Sequence, residues 1–124
     1  FTPLRELRER SVGKWEGLTA EEIKARFPEE YRAWRSDLLN YRPPGGECLT
    51  DVQNRILPVY RALVTSHPGE EIALLLHGGV NRVILADAFG MPLPNLFRID
   101  QSCGALNIID HYDDGMAVVK LLNG

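Results

Sequence analysis

Five apolar residues in a row, Ile72-Ala73-Leu74-Leu75-Leu76, run directly into His77-Gly78-Gly79, and the next residues, Val80 to Gly90, carry a helical pattern. A short apolar run bounded by turn residues reads as a strand buried on both faces, which needs helices packed above and below it. The junction therefore points to an α/β or mixed layered architecture rather than a helical bundle. It also sets three useful groups side by side. An imidazole stands at the carboxyl end of a strand, where open α/β sheets bind ligands. Two glycines let a ligand approach the backbone closely. The first N–H groups of the following helix lack intrahelical partners and carry partial positive charge. Such a junction suits an anion, phosphate above all. Taken alone, the same residues are equally compatible with a tight turn and an internally bonded histidine.

The other elements follow from local signals. Thr19 and Glu22 form a capping box that opens a helix in LTAEEIKARFP. Pro28 interrupts it, and EEYRAWRSDL restarts with Tyr31, Trp34 and Leu38 on one face. The prolines and glycines of NYRPPGGEC exclude regular structure. Leu49, Val52, Ile56, Val59, Tyr60 and Leu63 have the spacing of an amphipathic helix, with a kink expected at Pro58. Gly90 and Pro92 stop the helix that follows the glycine pair. ALNIIDHY and MAVVKLL read as strands joined by the turn signal DDG. The order is helix, helix, strand, helix, strand, strand. It leaves the apolar strand short of neighbours: the chain offers the final hairpin and a short strand near Arg98 to Gln101, and the partner of Ile72–Leu76 is missing.

Composition sets bounds on this picture. A chain of 124 residues suffices for one domain with a modest core, and 44% hydrophobic with 25% charged residues is an ordinary globular balance. A net charge of −3 without long like-charge runs argues against a general nucleic-acid binder. It leaves room for an anionic small molecule held in a locally cationic pocket. No apolar run approaches the roughly 18 residues of a membrane span. Cys48 and Cys103 form neither a disulfide framework nor a metal pattern, so a reducing, cytoplasmic setting is expected. The chain opens on Phe1 rather than methionine and shows no signal-peptide character, which reads as a piece of a longer polypeptide.

A second stretch, LRERSVGKWEGLT, holds Glu9, Gly13 and Trp15-Glu16-Gly17. By itself it reads as a loop anchored by Trp15. Glu9 is its candidate for chemistry. A carboxyl beside a bound phosphoryl anion is driven toward its protonated form by like-charge repulsion, which suits a proton donor to a leaving group. His67 in SHPG and His111 in DHYDD read as solvated turn residues, and the aspartates beside His111 as turn formers rather than metal ligands. Tyr31 and Trp34 read as packing.

In order, L-x-E ending at Glu9, G-x-W-E-G-L-T (Gly13 to Thr19), R-F-P (Arg26 to Pro28), P-P-G-G-E (Pro43 to Glu47) and L-L-x-H-G-G-V (Leu74 to Val80) resemble the histidine phosphatase superfamily, over Leu7 to about Asp110. The resemblance implies a three-layer α/β/α, phosphoglycerate-mutase-like fold. Residues 1–124 would be the carboxyl-terminal part of one such domain, without its first strand and the helix after it. It implies phosphoryl transfer to a nucleophilic histidine in an R-H-G motif, then to water or a second hydroxyl. His77 matches the family's second histidine, which contacts the transferring phosphoryl group. Gly78 and Gly79 match the residues whose backbone lines the phosphate pocket, and Glu9 matches the proton donor. Arg10, next to Glu9, is a further candidate to face the substrate. The short spacer between Gly17 and Pro43 is similar to the phosphatase branch. Cys48 stands where many relatives have serine, and should cap the following helix more weakly.

The departure from the family pattern that matters is a missing amino-terminal half. The chain contains no R-H-G and no S-x-L-x-R-A segment, both of which precede the Glu9 position in the family. The expectation is therefore a phosphomonoesterase that works through a phosphohistidine on a small phosphorylated metabolite, with no metal or cofactor, and whose present chain is inactive alone. The alternatives are a phosphoglycerate mutase and a non-catalytic fragment or binding module. The expected partner is the small phosphorylated substrate, with neither nucleic acid nor membrane. The amino-terminal segment as a separate chain, and a second copy in a homodimer, complete the partners considered.

Overall fold

The structure, a computed structural model, describes residues 2–124; Phe1 lies outside the described residues. The expected capping box forms: the Glu22 N–H donates to Thr19 Oγ1 at 3.1 Å, and the Thr19 N–H donates to the Glu22 carboxylate at 3.3 Å. It opens helix α1, Ala20–Arg26. Helix α2, Pro28–Ser36, starts on Pro28 itself, because the first helical position needs no N–H and suits the fixed φ of proline. Helix α3 spans Leu49–Ser66 and runs through Pro58 without ending. Cys48 is its N-cap, and Asp51 accepts from the Cys48 N–H at 3.1 Å. Helix α4, Gly78–Phe89, ends on Gly90, whose left-handed φ of 66° costs a residue without a Cβ nothing. Strands β1, Ile108–His111, and β2, Ala117–Leu121, form the expected antiparallel hairpin across the DDG turn.

The core lies between α3 and α4. Val52 and Ile56 of α3 meet Val80 and Val83 of α4, each no more than 2% exposed. Leu7 closes this core from the amino-terminal side, Leu93, Leu96 and Ile99 close it beyond α4, and β2 packs on α4. Of the predicted face of α3, Leu49, Val52, Ile56 and Tyr60 are buried, while Val59 and Leu63 are half-buried at its margin.

Two expected strands are not observed. Residues 72–76 carry no ladder, and the segment is not buried on both faces: Leu75 is 87% and Ile72 40% exposed. A strand acquires its sheet geometry from the chains on its edges. Among the described residues, the only sheet is the β1–β2 hairpin, which does not pair with this segment. Leu74 and Leu76 alone lean on the core. Likewise Arg98 to Gln101 is not a strand, because a 3-10 segment over Leu93–Arg98 occupies its first position and Ile99 turns inward to the core. No helix among the described residues is long and apolar enough to cross a membrane.

Candidate active site

The loop that carries Glu9 and the loop of the two prolines lie backbone to backbone. The Lys14 N–H donates to the Pro44 carbonyl at 2.9 Å, and the Glu47 N–H to the Ser11 carbonyl at 2.8 Å. Contact this close needs glycine. A side-chain carbon on Gly46 would stand 2.8 Å from the Val12 carbonyl carbon, and Gly13, at φ 53°, faces Pro44 the same way. Trp15 pins the assembly from below at 4% exposure, stacked on Tyr41 at 5.8 Å and edge-on to Trp34 at 6.3 Å.

Arg55 of α3 ties these loops to the core. Its guanidinium forks onto Glu47, Nε to one carboxylate oxygen at 2.8 Å and Nη2 to the other at 2.9 Å. It also donates to the carbonyls of Glu6 at 2.7 Å, Arg8 at 2.8 Å and Glu9 at 3.2 Å. The Ser11 N–H adds a 3.0 Å bond to Glu47. Hydrogen bonding from Arg55 holds the Glu47 carboxyl below the usual carboxylate range. The backbone entering and leaving Glu9 is thus gripped by one side chain.

That grip delivers Glu9 to the start of α4. The Gly79 N–H donates to Glu9 Oε2 at 3.2 Å, across 70 positions of sequence. A side-chain carbon on Gly79 would fall on the carboxylate, within 3.1 Å of its carboxyl carbon, so only glycine allows the approach. The helix N-terminus that should hold an anion holds this carboxylate. His77 is the N-cap of α4, with its side chain exposed and its carbonyl accepting from the Asn81 N–H at 3.0 Å.

Glu9, Arg10 and Gly79 line one cleft of about 220 Å³, and Arg82 lines it too. His77 and Gly78 are not in its lining but stand at the helix start beside it. Arg10 donates from Nε to the Glu47 carbonyl at 3.2 Å, and burial pulls its guanidinium below the ordinary arginine range. A cation that has lost water gains most from an arriving anion.

Arg82 escaped the sequence reading. It donates from Nε to the Ile99 carbonyl at 2.7 Å, and an Nη lies 3.4 Å from where a Gly78 side chain would begin. Among the described residues, neither Arg10 nor Arg82 forms an ion pair. One signal could have found Arg82: four residues after Gly78, it sits one helical turn along the same face. Nothing local announces Arg55, whose carbonyl partners lie 46 to 49 positions away.

The remaining candidates lie elsewhere. His111 is not in a turn: it ends β1, with Nε2 2.6 Å from the hydroxyl of buried Tyr60, whose pKa burial pushes up to about 12. His67 caps the end of α3, 3.7 Å from Glu70. Among the described residues, no three His, Cys, Asp or Glu side chains gather as a metal site requires. A shallow apolar cleft of about 340 Å³ over Pro58, Leu63 and Leu4 offers no ionisable group.

A family model described as histidine phosphatase superfamily (branch 1) matches residues 1–124. A glucosyl-3-phosphoglycerate phosphatase of Mycolicibacterium vanbaalenii is 35% identical over 96 residues, 72% of this chain and 42% of that protein. A phosphoglycerate mutase of Schizosaccharomyces pombe is 30% identical over 120 residues, 94% of this chain and 56% of that protein. The crystal structure of the alpha-ribazole phosphatase of Shigella flexneri superposes with a TM-score of 0.81 at 25% identity, over 98% of this chain and 59% of that one. Other curated relatives match 95% of the chain, which spans only 32% of their length. Matched from its first residue to its last, the chain belongs to the histidine phosphatase superfamily.

Proposed function

We propose that this chain carries the phosphate cradle and the proton donor of a phosphomonoesterase that acts through a phosphohistidine. One observation carries the reading: the hydrogen bond from the Gly79 N–H to Glu9, which unites a carboxyl acid with a helix start suited to phosphate. The phosphoryl group sits over the first turn of α4, with Arg10 and Arg82 as its cations. A histidine from an R-H-G motif, which these residues do not include, attacks phosphorus in line. His77 donates to the equatorial oxygens and stabilises the charge that spreads over them. The bond from phosphorus to the alcohol oxygen breaks, and Glu9 gives that oxygen its proton. Water then attacks the phosphohistidine, Glu9 takes a proton from it, and inorganic phosphate and the free histidine result. The substrate is a small phosphorylated metabolite. Two unpaired thiols, Cys48 buried and Cys103 exposed, favour a cytoplasmic setting.

The test is His77→Ala in the full-length protein. Turnover of p-nitrophenyl phosphate should fall about 10²–10³-fold with an unchanged circular dichroism spectrum. Hydrolysis at the unaltered rate would overturn the role of His77. The likeness to a phosphoglycerate mutase supports a second reading. Incubation with 3-phosphoglycerate separates the two, since a mutase returns an isomer and a phosphatase releases phosphate. Hydrolysis by the 124-residue chain itself would show that the nucleophile lies within it, contrary to the mechanism above, and complete inertness of the full-length protein would favour a binding module.

A further inference from the structure

The cleft that holds Glu9, Arg10 and Arg82 has a second character. Six of its lining residues are apolar: Val12, Leu49, Val52, Val83, Leu96 and Phe97. Leu49, Val52, Val83 and Leu96 are at most 2% exposed and form its floor. Phe97 differs, because it is 51% exposed and presents a ring to the cleft. That ring is held from behind. Trp34 of α2 meets it edge-on, with centroids 6.0 Å apart at 73°. Trp34 in turn leans on Tyr31 at 5.8 Å and on buried Trp15 at 6.3 Å. The contact with Trp34 restricts the phenyl ring, which lowers the cost of ordering it on binding.

We propose that Phe97, backed by Trp34, is the wall that binds the alcohol half of the substrate, and that the substrate is a phosphomonoester whose alcohol bears an aromatic ring. The proposal rests on the phosphatase reading, with the phosphoryl end taken by Arg10, Arg82 and the start of α4. Those cations and Glu9 are the ionisable groups of the lining, and the phosphoryl transfer employs all of them. A sugar or glycerol alcohol would bring hydroxyls against Val12 and the Phe97 ring, which offer no hydrogen bond, and would lose its bonds to water. A ring instead gains an aromatic contact with Phe97 and buries its own apolar surface.

The experiment compares benzyl phosphate with glycerol 3-phosphate in the full-length protein. Both esters release a primary alkoxide, so their intrinsic reactivities are similar and the kcat/KM ratio reports recognition. The ratio should favour benzyl phosphate by about tenfold or more. It should collapse toward one in Phe97→Ala, fall partway in Phe97→Leu, and return in Phe97→Tyr. Calorimetric binding of benzylphosphonate and methylphosphonate, neither of which can be hydrolysed, supplies a readout that needs no turnover. Benzylphosphonate should bind about tenfold tighter, and Phe97→Ala should erase the difference. Intact hydrolysis with a ratio near one and equal Kd values would overturn the aromatic wall and leave the phosphatase reading. No hydrolysis with tight benzylphosphonate binding would overturn the phosphatase reading and keep the wall. Preference for glycerol 3-phosphate in the unaltered protein would overturn the wall outright.

Discussion

Replacing Arg55 with alanine tests how Glu9 is held. Arg55 and Glu47 are 14% and 17% exposed, so the pair is largely withdrawn from water. Removing one partner of a buried pair costs about 3–5 kcal/mol, because the other charge stays buried without compensation. The residual exposure places Glu47 toward the lower end. The carbonyls of Glu6, Arg8 and Glu9 belong to exposed residues, so water replaces Arg55 there at little net cost. Urea unfolding of Arg55→Ala should therefore show a loss of about 3–4 kcal/mol. Arg55→Lys keeps the charge but not the fork, and should lose roughly half as much. A double-mutant cycle with Glu47→Ala should return a coupling of about 1–3 kcal/mol. The loss should persist in molar salt, because buried pairs are weakly screened. The exposed Arg42–Asp51 pair serves as a control, since Arg42 is 62% exposed and salt should mask its removal. A cost for Arg55→Ala below about 1 kcal/mol, or one abolished by salt, would refute the reasoning.

Three further outcomes follow from the same geometry. Gly79→Ala should expel the Glu9 carboxylate from the start of α4; kcat should fall about tenfold or more with little change in melting temperature, and unaltered kcat would remove Glu9 from the mechanism. Arg82→Ala should raise KM and weaken inhibition by inorganic phosphate about tenfold, with Arg82→Lys recovering part of it; a change in kcat alone would argue against phosphate binding by Arg82. Acid should weaken the Glu47 tie. The folded carboxyl lies below its unfolded value near 4.3, so its contribution is complete above about pH 5 and is lost as pH falls through the folded value. The stability gap between the unaltered protein and Glu47→Gln should accordingly close below about pH 4, and a gap constant from pH 7 to 3 would contradict it.

Short-range signals determined much of this protein without any fold in hand. The Thr19–Glu22 box, the Gly90 stop, the face of α3 and the DDG hairpin each depend on groups within about four positions of one another, where chain geometry leaves little freedom. The His77-Gly78-Gly79 junction is of the same kind, since a helix start exposes its N–H groups wherever it occurs. Motif order added the family and singled out Glu9 as the proposed proton donor. Tertiary structure alone decided what those parts touch. It brought Glu9 to Gly79, turned Arg55 onto carbonyls far up the chain, and seated Arg82 and Phe97 in the same cleft. It also left residues 72–76 without a ladder and joined His111 to Tyr60. Composition and spacing cannot choose among long-range partners, because loop closure costs almost the same whichever of several compatible side chains meet. The choice falls to packing, which favours the arrangement that bonds most buried polar groups and fills most of the interior at once.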